Sequence, residues 1–259
     1  TPQSVTPTVD ADPAPPPVAA PTPPAFPAAT VIESSPRDLG FAPRIVLDGS
    51  GRPNIAYARS GVGVELLTLA AGAWSERQLT DAYDDFYWLD LALDGAGLPT
   101  VAVQRAWSSL EQYANPGIVM VGATQPSASE TRLTAACPDA DTCYWDWTPK
   151  LAYDAAGAAH VVFSRTAAFD QDLVKAPAGS APSVAGPGLF YATNETGSWV
   201  VRRLNTDARD GVPSIAVESD GTAHITVLRQ IGSQSGLYHY TNEGGSCIVV
   251  DREFTPASS

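Results

Sequence analysis

The chain has 259 residues, with 28 Asp and Glu against 15 Lys and Arg, a formal charge of −13. That charge opposes a phosphate backbone, so nucleic acid is not expected as a partner. The apolar runs fall well short of the roughly 20 residues of a membrane-spanning helix, and the spacing shows no Ser–His–Asp arrangement, phosphate loop or His-rich ligand set.

Residues 1–29 hold ten prolines, and no Lys or Arg occurs before Arg37. A Pro/Ala-rich run cannot bury a core and favours extended polyproline II, so 1–29 is expected to be an arm or linker, with the folded domain over 30–259. It reads either as a tether or as a strap laid along a partner protein. The chain starts with Thr, which gives the expectation of a processed, exported protein, extracellular, on the cell surface or periplasmic, and tethered through the arm. TVIESS (30–35) reads as an additional outer strand.

From there the chain repeats. PRIVLDGSGRPNIAYAR (43–59), LDLALDGAGLPTVAVQR (89–105), PKLAYDAAGAAHVVFSR (149–165) and PSIAVESDGTAHITVLR (213–229) align without gaps. Each is an alternating apolar run, a tight Asp/Gly turn and a second alternating run, the pattern of two antiparallel strands. The phased Gly51, Gly97, Gly157 and Gly221 are expected at positive φ. GLFYATNETGSW (188–199) matches GLYHYTNEGGSC (236–247), and VELLTLAAGAW (64–74) and GIVMVGATQPSASETRL (117–133) stand in the same place, adding a third and fourth strand per unit. Trp74 and Trp199 share a phase that Cys247 occupies in the last unit, either as a small buried filler or as a reactive thiol.

A four-stranded antiparallel unit at this spacing is a propeller blade. The repeat P-x-[IL]-A-x-D-x-x-G-x-x-[HN]-[IV], followed by G-L-x-Y-A-T-N-x-x-G-S-W, resembles those of bacterial secreted β-propellers, grouped with sialidase-like and lectin-like propellers. The expected fold is all-β, with four visible blades over about 43–80, 89–134, 149–205 and 213–254.

In such a blade the tight turns share one rim and the long loops the other, where binding usually sits. Arg59, Arg105, Arg165 and Arg229 each stand eight residues after a phased glycine, near that loop-rich rim. Two readings are open for them. Each forks onto an inter-blade aspartate (Asp38, Asp84 or Asp85, Asp146, Asp210) and locks neighbouring blades, or together they ring the central funnel and hold an anion. Tyr83, Phe86, Tyr87 and Trp88, then Trp107 and Tyr113, then Tyr144, Trp145 and Trp147 interleave with acidic residues, the mixture that stacks on sugars and also fills protein interfaces. Trp107 and Trp145 are the expected exposed members. His160 and His224 read as edge-strand polar residues, and His239 as standing alone. Cys137 and Cys143 bracket CPDADTC and read as a local disulfide, which implies an oxidising compartment, or as a metal pair. Asp139 with Asp141, or Asp170 with Asp172, could offer oxygens to Ca²⁺, but solvated acidic loops explain the same letters, and no cofactor is assigned.

A sialidase-type enzyme needs an arginine cluster, a Tyr nucleophile backed by Glu, and an acid Asp. No Tyr–Glu pairing is legible from spacing, and the box S-x-D-x-G-x-x-W is absent. The expectation is therefore a non-catalytic propeller acting as a protein-interaction or accessory subunit of an extracellular or envelope assembly, not an enzyme. The alternative is a carbohydrate-binding, lectin-like propeller, with a sialidase-like hydrolase behind it.

Overall fold

The computed structural model describes residues 43–59, 61–80, 86–105, 117–122, 130–134, 144–167, 186–206, 211–231, 234–243 and 248–254, all within the compact unit Ser35–Ser259. The Pro-rich arm and the strand expected at 30–35 lie outside the described residues.

The first sheet comprises β1 (Arg44–Leu47), β2 (Pro53–Arg59), β3 (Gly63–Ala70) and β4 (Ala73–Gln78). The second comprises β5 (Phe86–Leu93), β6 (Pro99–Arg105), β7 (Gly117–Gly122) and β8 (Glu130–Arg132). The third comprises β9 (Tyr144–Tyr153), β10 (Ala159–Ala167), β11 (Gly188–Thr193) and β12 (Val200–Arg203). The fourth comprises β13 (Ser214–Val217), β14 (Ala223–Ile231), β15 (Gln234–Thr241) and β16 (Ile248–Phe254). Each is an antiparallel meander in chain order, the expected blade. No helix among the described residues is long and apolar enough to cross a membrane.

The turn between the first two strands of each blade explains the repeated D-x-x-G. Asp94 Oδ1 accepts from the amides of Ala96 and Leu98, both at 2.9 Å, and the Gly97 amide donates to the Asp94 carbonyl at 2.8 Å. Asp48 does the same for Ser50 and Arg52 at 2.8 and 3.0 Å. The turn glycine takes φ of 75°, 76°, 84° and 90° at positions 51, 97, 157 and 221, as expected, the last with Glu218 in place of the aspartate and the Gly221 amide on the Glu218 carbonyl.

Blades pack face to face because strand side chains alternate and both faces carry apolar residues. Ala56, Ala58, Val64 and Leu66 meet Leu91, Val101, Val103, Val119 and Val121 across the first interface. Ala102, Ile118 and Met120 meet Leu151, Val161, Phe163 and Phe190 across the second, and Val162, Leu189 and Tyr191 meet Ile225, Val227, Tyr238 and Tyr240 across the third. Full burial of such side chains stabilises by about 1.5–3 kcal/mol each.

The first strands of adjacent blades also touch, β1 with β5, β5 with β9 and β9 with β13, which places them nearest the axis. A charged spine ties three of them. Asp90 on β5 accepts from Arg44 Nε of the first blade at 3.0 Å and from the Leu151 amide of the third at 3.0 Å, with Lys150 Nζ at 3.9 Å. Burial holds the Lys150 amine below the usual lysine range, and Asp90 opposes that shift.

Candidate functional site

The loop-rich rim holds a cleft of about 350 Å³ at the inner ends of three blades, lined by Trp88, Trp147, Thr148, Ser164, Thr166, Gly211 and Val212. Two bulges build it. The β5–β6 register shifts between Phe86 and Leu89, and the β9–β10 register shifts between Val162 and Ser164. Trp88 and Thr148 occupy the same repeat position within these bulges. A bulge bends the strand and re-aims the side chain it carries. Trp88 is accordingly exposed, and Thr148 has φ of 51°, a left-handed conformation unusual for a β-branched residue. Backbone strain of this kind persists where the surroundings enforce it, often at functional sites.

The polar atoms around the cleft are largely engaged. The Trp147 indole N–H donates to Thr166 Oγ1 at 2.8 Å, which fixes the ring. Ser164 Oγ donates to the Gly211 carbonyl at 3.1 Å. Thr148 Oγ1 is buried without a hydrogen-bond partner among the described residues. Just before Trp147, the buried Asp146 forks with Arg165, Nη2 lying 3.1 Å from Oδ2, while the guanidinium stands 4.3 Å over the Phe190 ring.

The other phased arginines also meet partners on their own blades. Arg105 donates to Glu130 at 2.9 Å, and Arg59 to Glu65 at 3.2 Å with Glu76 at 3.8 Å. Arg229 lies 5.3 Å over the Tyr238 ring. Among the described residues, Arg165 takes Asp146, one of the aspartates singled out in the sequence, and glutamates on the outer strands serve Arg59 and Arg105. Glu65 and Glu76 also bring a Tyr–Glu pairing that spacing did not reveal. Tyr57 donates to Glu76 at 2.9 Å beside Glu65. Burial, then the two glutamates, push the Tyr57 phenol above its ordinary range. Burial likewise raises the Glu65 carboxyl, against the lowering bonds from Tyr57 and Arg59. Glu65 stands where the other blades have Val119, Phe190 and Tyr238, and that break in an apolar repeat position was the available signal.

Asp84, Asp85, Trp107, Asp38, Asp210, Cys137, Cys143, Cys247 and the acidic pairs considered for Ca²⁺ lie outside the described residues, as does the Trp145 side chain. Among the described residues no group of three His, Cys, Asp or Glu side chains is placed to hold a metal. Two histidine expectations need correction. His160 is fully buried on the second strand of its blade, with Nδ1 2.6 Å from Tyr191 Oη, because both faces of that strand pack against neighbours. His239 does not stand alone, since the β14–β15 register brings its Nε2 to 3.1 Å from His224 Nδ1.

Together the four meanders define a β-propeller, with an aromatic-lined cleft where three blades meet. No protein-family model matches the sequence, and no curated protein matches it at significant similarity. Solved structures do match the fold. An α-L-arabinanase of Penicillium chrysogenum complexed with arabinobiose superposes with a TM-score of 0.54 at 15% identity, over 84% of this chain and 67% of that one. The α-L-arabinofuranosidase Arb93A of Fusarium graminearum, in complex with an iminosugar inhibitor, gives 0.52 at 13%, over 79% and 63%. A polysaccharide lyase, an ulvan lyase, gives 0.51 at 10%, over 81% and 57%. The chain thus spans about two thirds or less of the length of these structures.

These neighbours overturn the expectation of a non-catalytic protein-interaction subunit, and with it the expectation that the chain is not an enzyme. The propellers it superposes on cleave glycans. The physical reason is that a propeller assembles its site from several blades on one rim, so groups that meet in space are about 60 residues apart in the chain, as Trp88 and Trp147 are, and local spacing cannot pair them.

Proposed function

We propose that the chain is a carbohydrate-active propeller that binds a polysaccharide across the cleft between Trp88 and Trp147 and cleaves it. The cleft carries this reading. Two indole rings sit beside single hydroxyls at the axial mouth of the scaffold, and aromatic faces pack against the C–H faces of sugars while hydroxyls meet hydroxyls. Burial raises the Glu65 carboxyl, but it stands on the first blade and does not line the cleft, so it is given no part in the cleavage. Residues 1–29 serve in this reading as a linker that holds the propeller outside the cell.

The test is a polysaccharide panel, with arabinan and ulvan included because the neighbouring structures act on such chains. New reducing ends report hydrolysis, and ultraviolet absorbance of unsaturated ends reports elimination. At least one polysaccharide is expected to bind and to yield products. Trp147→Ala should weaken that binding roughly tenfold, the scale of one lost stacking surface. A chain that binds and cleaves nothing in the panel, or a Trp147→Ala protein that binds undiminished, contradicts the proposal.

A further inference from the structure

We infer that the glycan taken by the cleft is uncharged, so that the cleavage is a hydrolysis and not an elimination; this rests on the reading of the cleft as a carbohydrate site. The described lining contains no ionisable side chain. Among the described residues beside it in the chain, the charged groups already have partners of opposite sign. Asp146 and Arg165 fork onto each other, with the guanidinium also over Phe190, and Lys150 and Arg44 both face Asp90. A uronate or sulfate entering the cleft would lose hydration without gaining a cation from the described lining, in a chain of net charge −13. To recruit Arg165 it would have to displace Asp146 and strand a buried carboxylate.

The polar atoms that remain suit hydroxyl groups. Thr166 Oγ1 accepts from Trp147 and keeps its own O–H to donate, while Ser164 Oγ donates to Gly211 and keeps lone pairs to accept. Thr148 Oγ1 has both capacities open among the described residues. Each is a single donor or acceptor next to ring surface, whereas a carboxylate or sulfate calls for a bidentate cation or several converging N–H groups. Elimination requires a uronate, whose carboxyl acidifies the neighbouring C–H, so a neutral chain leaves hydrolysis. Water oxygen bonds to the anomeric carbon, the bond from that carbon to the leaving oxygen breaks, and the proton that the water gives up is balanced by the one the leaving oxygen takes on.

Matched probes separate this inference from the broader function. Arabinan, laminarin and galactomannan, each beside its own chemically sulfated derivative, are titrated against the full chain at low and physiological salt. At least one neutral form is expected to bind, with affinity unchanged by salt, and its sulfated form about tenfold or more weaker. Thr166→Arg should narrow or reverse that preference by placing a cation in the lining. Equal or tighter binding of the sulfated forms, or affinity that falls steeply with salt, overturns the uncharged ligand and leaves the cleft a glycan site. Binding of none of these probes nor of any polysaccharide in the wider panel overturns the function, and this inference with it.

Discussion

Glu65 shows how much one side chain can depart from the repeat that surrounds it. Its position is apolar in the other three blades, yet here a carboxylate is buried between Tyr57 and Arg59. Because burial raises its pKa on folding, the folded state holds the proton more tightly than the unfolded one. The contribution to stability is complete below the ordinary carboxylate value and is lost as pH rises through the raised one. Glu65→Gln keeps a neutral group of the same shape and should flatten the decline of Tm across that window. A Tm-against-pH profile indistinguishable from the parent would show that Glu65 ionises without consequence. Thr148 departs in another way, through its backbone, and no letter in W-T-P announces a positive φ. Such residues were not legible because their constraint comes from the strand opposite, not from their neighbours in sequence.

At the scale of the element the letters are far more informative. The alternation of apolar residues and the D-x-x-G turn are local, so sheet order, strand count and the glycine conformation could be read before any coordinates. Asp94→Ala removes two side-chain bonds to turn amides and should cost about 1–3 kcal/mol in denaturant unfolding. No change in midpoint would mean that water replaces the carboxylate there. A second repeated device went unread. In three blades the residue after a buried or half-buried leucine receives the amide that follows the first glycine of the third strand: Val64 to Thr80 Oγ1 at 2.8 Å, Ile118 to Thr134 Oγ1 at 3.0 Å and Leu189 to Asn205 Oδ1 at 3.1 Å. Its signature, QLT, RLT and RLN, is three letters long and becomes REF in the last blade, too short and too uneven to stand out.

Across the whole molecule, the repeat positions show where the packing series stops. Leu91 and Leu151 are 5% and 6% exposed against the preceding blade, while Ile45 at the same position is 62% exposed. On the opposite face Gln104 and Ser164 are 2% and 5% exposed, and Leu228 is 62% exposed. The three interfaces between the four blades are therefore what orders the axial strands, and the Asp90 spine links three of those strands directly. The cleft depends on that order, since its two tryptophans come from different blades and reach one mouth only when β5 and β9 pack side by side.

The most direct measurement is a crystal structure of the chain soaked with oligosaccharides cut from the polysaccharide that it binds best. The account predicts sugar density against Trp88 and Trp147, with hydroxyls within reach of Thr148 or Thr166. Sugar bound at another surface, with both indoles left bare, would contradict it.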